Sequence, residues 1–315
     1  MTAEVDRGIS LPMMAAVKTG VRYRIELESG TVIDGRFTSP KGATALLSPI
    51  SEPGITRLGS NEQHTTLAVA PARCYTIDDA WRELEPGGAV PPMWGVATQV
   101  YGLRRVGDGG VGDFSALATL AAESAEPHKF SPYSPSSRLF LNIAHIDPAA
   151  VLGVEAAQAA IKTAGVADEF AHLEALRLID WSRVMTAKLA VLRALFAQFN
   201  GQESDTLHKD FARFVKRGGR ALEDHARFEA LQAAQLKEAN EGHWRNWAEE
   251  LRNPRRAAVA EFAAAHKDEV DFFLFAQWLA AKGLSHAQQV ARDSGIAIGL
   301  IADLALGCDS AGSHA

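Results

Sequence analysis

Glycines at four of six positions surround one acid in Gly107-Asp108-Gly109-Gly110-Val111-Gly112, matching the G-x-G-x-x-G spacing. Residues without side chains at that spacing let a pyrophosphate reach backbone N–H groups where a helix begins. Such a unit also needs a second strand ending in an acid about 20 residues later. Residues 124–137 read instead as a Ser- and Pro-rich loop. The motif is therefore read as a glycine-rich turn from a strand into a helix.

A second cluster is Phe130-Ser131-Pro132-Tyr133-Ser134-Pro135-Ser136-Ser137-Arg138. Sugars present flat C–H faces between hydroxyls, so an aromatic ring beside serine and arginine donors suits them. A proline-braced structural loop accounts for the same residues. Third, Asp303 closes an apolar run, and Asp309, Ser310 and His314 follow it. Acids at the C-terminal ends of barrel strands lie on the functional face, whereas a helix cap or a solvated loop acid is the plainer reading. Trp244 and Trp247 could form a sugar platform or simply pack. No Ser-His-Asp order can be assigned, because the segment 307–312 fails the G-x-S-x-G spacing. His266 lacks the second histidine of H-E-x-x-H.

The elements that must position these residues fall into two halves. Residues 1–90 hold short β-type runs at 21–28, 31–37, 43–48, 65–71 and 74–77. Tyr23, Ile25 and Leu27 alternate with Arg22, Arg24, Glu26 and Glu28, the period of a half-buried strand, and Ser29-Gly30 supplies a hairpin turn. Several such strands predict a small β-sandwich. The Pro- and Gly-rich stretch 85–92 then marks a boundary. Beyond it, residues 94–103 read as a buried strand and 113–123 as a helix. From 147 to 294 the pattern is helical, with Asp147-Pro148 and Asp180 as helix starts. Val270, Phe273, Leu274, Gln277 and Trp278 share one helix face, and Phe272, Phe273, Phe275 and Trp278 read as core. Residues 295–302 (GIAIGLIA) read as a parallel strand buried on both faces. A long helical block between two buried strands suits a barrel or open α/β sheet carrying a large helical insertion.

The whole chain has 315 residues and a net charge of −6, with 9 basic and 11 acidic residues in 1–90 and 23 and 27 after it. Charge spread this evenly argues against nucleic acid, and the one basic run, 213–220, reads as a solvated helix end. No apolar run reaches the roughly 18–20 residues that a spanning helix needs. Residues 1–10 lack a secretory signal's apolar stretch. Two cysteines, Cys74 and Cys308, cannot build a disulfide framework or a four-sulfur zinc site. A cytoplasmic protein without membrane or nucleic-acid partners is expected.

Several strings together are more specific. Residues 94–104 (WGVATQVYGLR), followed by Gly110-Val111-Gly112-Asp113-Phe114, resemble the opening of the 4-α-glucanotransferase catalytic domain, the amylomaltase or disproportionating-enzyme family of glycoside hydrolase family 77. Residues 130–147 (FSPYSPSSRLFLNIAHID) resemble its second signature, with Ile-Ala-His where Pro-Leu-Tyr is usual. Leu178-Ile179-Asp180-Trp181, Phe275-Ala276-Gln277-Trp278-Leu279 and residues 299–314 fit in order, and residues 65–77 resemble the N-terminal domain of longer bacterial members.

The resemblance implies an N-terminal β-sandwich (1–90) followed by an incomplete (β/α)8 barrel (91–315) with a helical subdomain at about 148–294. It implies retaining transfer of α-1,4-glucan segments, in which a carboxylate forms a glycosyl-enzyme and a second acid protonates the leaving oxygen. No metal or organic cofactor is implied; the partner is a maltooligosaccharide or α-1,4-glucan. Tyr133 would stack on the sugar, with Ser131 beside it in the binding loop. Asp303 or Asp309 would fall in the first acidic loop shared with α-amylases. Two departures shape the expectation. Residues 121–126 run almost directly into Phe130, omitting the second barrel strand, and the family's nucleophile and acid/base lie on strands later than Ala315. The catalytic carboxylates are expected outside these residues, and the 315-residue chain is expected to be inactive alone. The alternative is a non-catalytic glucan-binding or interaction protein.

Overall fold

The alternation around Tyr23 becomes a strand with Tyr23 and Ile25 buried and Arg22, Arg24 and Glu26 exposed. The computed structural model describes residues 2–12, 20–38, 44–60, 63–84, 86–90, 95–123, 137, 139–201, 206–296, 298–303 and 308–314. They divide into two compact units, 1–90 and 91–315.

The first unit holds β1 (Thr2–Glu4), β2 (Ile9–Pro12), β3 (Arg22–Glu26), β4 (Val32–Arg36), β5 (Thr44–Leu47), β6 (Gly54–Ser60), β7 (Gln63–Ala70) and α1 (Ile77–Leu84). Five strands pair in the order β1-β7-β6-β3-β4, antiparallel except for β1 beside β7. β2 and β5 pair separately. Ile9, Leu11, Ile25, Leu47, Leu58 and Leu67 bring both sheets into one apolar core. The β3–β4 hairpin turns at Gly30 (φ 87°), and Gly35 lies against the Tyr23 ring, where a β-carbon would come within 2.3 Å.

The second unit holds α2 (Phe114–Glu123), α3 (Ala149–Leu152), α4 (Val154–Ala164), α5 (Ala167–Ala175), α6 (Trp181–Asn200), α7 (Thr206–Ala239), α8 (Ala257–Ala265) and α9 (Lys267–Asp293). Asp180 caps α6, its carboxylate accepting from Arg183 N at 3.1 Å. α9 is the central element. Its run from Phe272 to Ala280 is buried on every side, so the face expected of Val270, Phe273, Leu274, Gln277 and Trp278 and the core expected of Phe272, Phe273, Phe275 and Trp278 both form. Phe196, Phe199, Phe211, Phe275 and Trp278 form one ring cluster between α6, α7 and α9. α7 bends at Gly219 (φ 53°, ψ −148°), and Arg213, Lys216, Arg217 and Arg220 face solvent beside the bend.

Three strand expectations are corrected. Residues 74–77 do not extend a sheet: Thr76 caps α1, donating its N–H to Asp79 while Asp79 N reaches Thr76 Oγ1. Residues 95–103 form no ladder, and Val100–Gly102 closes a 3-10 turn instead. Residues 295–296 and 298–303 form no strand either. Gly295 (φ 85°) and Gly299 (φ 78°) interrupt extension, and Ile301 is 79% exposed. An apolar run becomes a buried strand only where neighbouring strands take its N–H and C=O groups. Among the described residues of 95–314 there is no strand to do so.

Candidate functional site

The glycine turn is packed shut. Asp108 and Asp113 have no exposed surface, and each is held by an arginine: Arg104 Nε reaches Asp108 at 3.0 Å, and Arg105 forks onto Asp113 at 3.0 and 2.7 Å. The amides that would bind a pyrophosphate are already spent within the chain. Gly109 N donates to Glu174 and Gly110 N to Asp108. A β-carbon on Gly109 would meet the Phe170 ring at 2.9 Å, and one on Gly110 would meet Leu173 at 2.7 Å. The glycines therefore serve the close approach of α5 rather than of a ligand.

Residues 145–147 are gripped at three consecutive points. The His145 Nδ1–H donates to Gly112 O at 2.9 Å, Lys188 Nζ donates to Ile146 O at 2.8 Å, and Asp147 takes Arg105 at 2.9 Å and the Ser115 hydroxyl. Burial pushes the Lys188 and His145 pKa values down; Asp113, Asp147 and Asp108 oppose this at Lys188. Burial also works against the charge of Arg105, but its hydrogen bond to Asp113 and the nearby carboxylates outweigh it and raise the pKa. The Arg105 cluster thus joins the turn after residue 103, the start of α2 and the end of the second signature.

The sequence-predicted site residues fare unequally. Ser131 and Tyr133 lie outside the described residues. Asp303 is exposed and belongs to no helix or strand. Asp309 is exposed at the start of a turn, its Oδ1 accepting from Ala311 N at 2.9 Å. The turn is seated by Trp244 and by two side chains not singled out above, Gln232 and His225. Trp244 Nε1 donates to Ser310 O at 3.0 Å, Gln232 Nε2 to Ala311 O at 3.3 Å, and the His225 imidazole meets Ser313 Oγ at 2.8 Å. Trp247 is buried against Phe228 and packs, whereas Trp244 is half-buried with the Arg245 guanidinium over its ring.

His225 is also where the second signature arrives: Phe140 stacks on its ring at 4.3 Å. The next residue, Leu141, exchanges both backbone hydrogen bonds with the Gln277 amide, at 3.1 and 2.8 Å. Gln277 Nε2 then faces His225 Nε2 at 3.4 Å. An amide N–H donated there would leave the imidazole proton on Nδ1, beside Ser313 Oγ. Burial lowers the His225 pKa to about 4. Among the described residues no three potential metal ligands gather, and no helix is long and apolar enough to cross a membrane.

Three strings far apart in sequence, 139–147, 275–279 and 308–314, thus meet in one helical unit. That architecture is the amylomaltase fold: the chain superposes on the amylomaltase of Corynebacterium glutamicum with a TM-score of 0.63 at 24% identity, over 99% of this chain and 45% of that one. A family model described as 4-alpha-glucanotransferase matches residues 98–315, and the chain belongs to that family, glycoside hydrolase family 77. It is 30% identical over 316 residues to a 4-alpha-glucanotransferase of Mycobacterium bovis, covering 90% of this chain and 41% of that protein. It is also 30% identical over 242 residues to one from Haemophilus influenzae, covering 68% of this chain and 35% of that protein. The chain therefore spans well under half the length of these relatives.

Proposed function

We propose that these residues form the β-sandwich and the early, helix-bearing part of the barrel of a 4-α-glucanotransferase, and that they supply its glucan-binding surface. The reaction is retaining transfer of an α-1,4-glucan segment to an acceptor sugar, through a carboxylate-bound glycosyl intermediate and a second, proton-donating acid. Tyr133 and Ser131 contact the sugar from the second signature, and Asp303 and Asp309 from the loop that follows α9. The setting is cytoplasmic, with no cofactor.

The observation that carries this reading is the convergence of residues 139–147 and 308–314 on α7 and α9. The buried acids nearby are unsuited to bond breaking. Asp108 and Asp113 are neutralised by Arg104 and Arg105, and Asp147 shares Arg105. A retaining pair needs two carboxylates about 5–5.5 Å apart, one of them able to hold a proton. On this reading the 315-residue chain alone is a glucan binder without turnover. Incubation with maltotriose, followed by product separation, tests the second half of that statement: glucose plus longer maltooligosaccharides would refute it. Retardation in an amylose gel, lost in Tyr133→Ala and weakened in Asp309→Asn, tests the first.

A further inference from the structure

We propose that Gln277 and His225 are positioning residues, a two-residue joint that sets residues 139–147 and the Asp309 turn in register with each other. The functional half of this proposal rests on the glucan reading above.

Gln277 is 5% exposed and sits between Ala276 and Trp278 in the most enclosed part of α9. A primary amide in such surroundings must find partners for its oxygen and both its hydrogens. Leu141 takes two of the three: its N–H meets Oε1 and its carbonyl meets Nε2, as a neighbouring strand would. This pairing permits only one orientation of the amide, because reversal would set oxygen against oxygen and N–H against N–H.

The remaining Nε2–H is then aimed at His225 Nε2, 3.4 Å away, and the imidazole proton is confined to Nδ1. From there it reaches the Ser313 hydroxyl at 2.8 Å, with the Glu229 carboxylate 3.8 Å from the same nitrogen. A carboxylate on that side favours the same protonated nitrogen. One hydrogen-bonded chain therefore runs from the Leu141 main chain through Gln277 and His225 to Ser313. Its polarity is set at one end by a backbone and read at the other by a side chain. Phe140, stacked on the imidazole, doubles the link from the same segment.

Ordering either segment orders the other, so a sugar held by the Asp309 turn is also held against the second signature. Neither residue touches substrate in this scheme; each acts through the segments it joins.

The test uses the full chain, 15N-labelled, with maltoheptaose as the probe. Wild-type His225 is expected to show the Nδ1–H tautomer in its ring 15N shifts. Gln277→Glu, nearly the same shape, removes both amide hydrogens and offers an acceptor to His225. The tautomer is expected to switch to Nε2–H, amide exchange at Leu141 and at Ser313 to rise together, and maltoheptaose affinity to fall about tenfold. Gln277→Met should raise exchange at both sites as well, and if it does not fold, the Glu variant decides alone. A wild-type Nε2–H tautomer, exchange rising at Leu141 only, or an unchanged affinity in Gln277→Glu overturns the proposal. A wild-type chain that does not bind maltoheptaose overturns the glucan reading and the positioning role with it. The tautomer and exchange results, which need no sugar, then judge the joint by itself.

Discussion

A single guanidinium nitrogen of Arg105 lies 2.7 Å from Asp113 and 2.9 Å from Asp147, although the two acids belong to different signature segments. Removing one partner from a buried ionic cluster leaves the others charged and unpaired, which costs about 3–5 kcal/mol. Arg105→Met should lose that much in urea unfolding. Arg105→Lys should lose less, because it keeps the charge but not the fork. A loss below about 1 kcal/mol in the Met variant would show that water already solvates both acids.

Two glycines with similar positive φ should respond differently to alanine. Gly110 (φ 97°) would drive its new methyl to 2.7 Å from the Leu173 side chain and 3.1 Å from its backbone, whereas Gly153 (φ 91°) faces open space. Backbone strain alone should cost Gly153→Ala about 1 kcal/mol, and the added clash should take Gly110→Ala to about 3 kcal/mol. Paired thermal melts compare them; equal losses would mean that α5 moves aside freely.

Stability should depend on pH through His225. Its usual value of 6.5 is held down to about 4 by burial. Between those values the unfolded chain binds a proton that the folded chain excludes, so stability falls as pH drops. The contribution is complete above about 6.5, and about 3 kcal/mol of it is lost by pH 4. His225→Phe keeps an aromatic partner for Phe140 and should flatten that limb of the profile. Identical profiles for the two proteins would place the titration elsewhere.

The cap on α6 is worth about 1 kcal/mol, since Asp180 satisfies the otherwise orphaned Arg183 N–H. Asp180→Ala should lose that amount and Asp180→Asn only a few tenths, as read from denaturant midpoints. Equal losses for the two would trace the effect to charge rather than to the bond.

What could be read from sequence alone followed from short-range physics. The alternation at Tyr23 and Ile25, the turn at Gly30 and the cap at Asp180 each depend on neighbours a few residues away, and each forms. No strand forms at 95–103 or 298–302, because an apolar run does not say which backbone will pair with it. The glycine turn matched a nucleotide motif because its true partners, Phe170 and Leu173, lie some 60 residues downstream. His225, Gln232 and Lys188 were missed because single polar residues in helices look solvated. The one available signal was Gln277: a primary amide on an otherwise apolar helix face demands partners, and it has them in Leu141 and His225. Asp309 stands out in the sequence as an acid that follows an apolar run, whereas Gln232 and His225, which hold its turn, do not stand out.

The bend in α7 has a bearing on direction. Before Gly219 the helix is moored to α9, where Asp210 accepts from the Trp278 indole at 3.1 Å and pairs with Lys282 at the same distance. After it come His225 and Gln232, which carry residues 308–314. A residue with a β-carbon at φ 53° would resist that angle and swing the second half of the helix off its heading. Gly219 thus works like a rudder, a backbone pivot far upstream in sequence that steers where the Asp309 turn points.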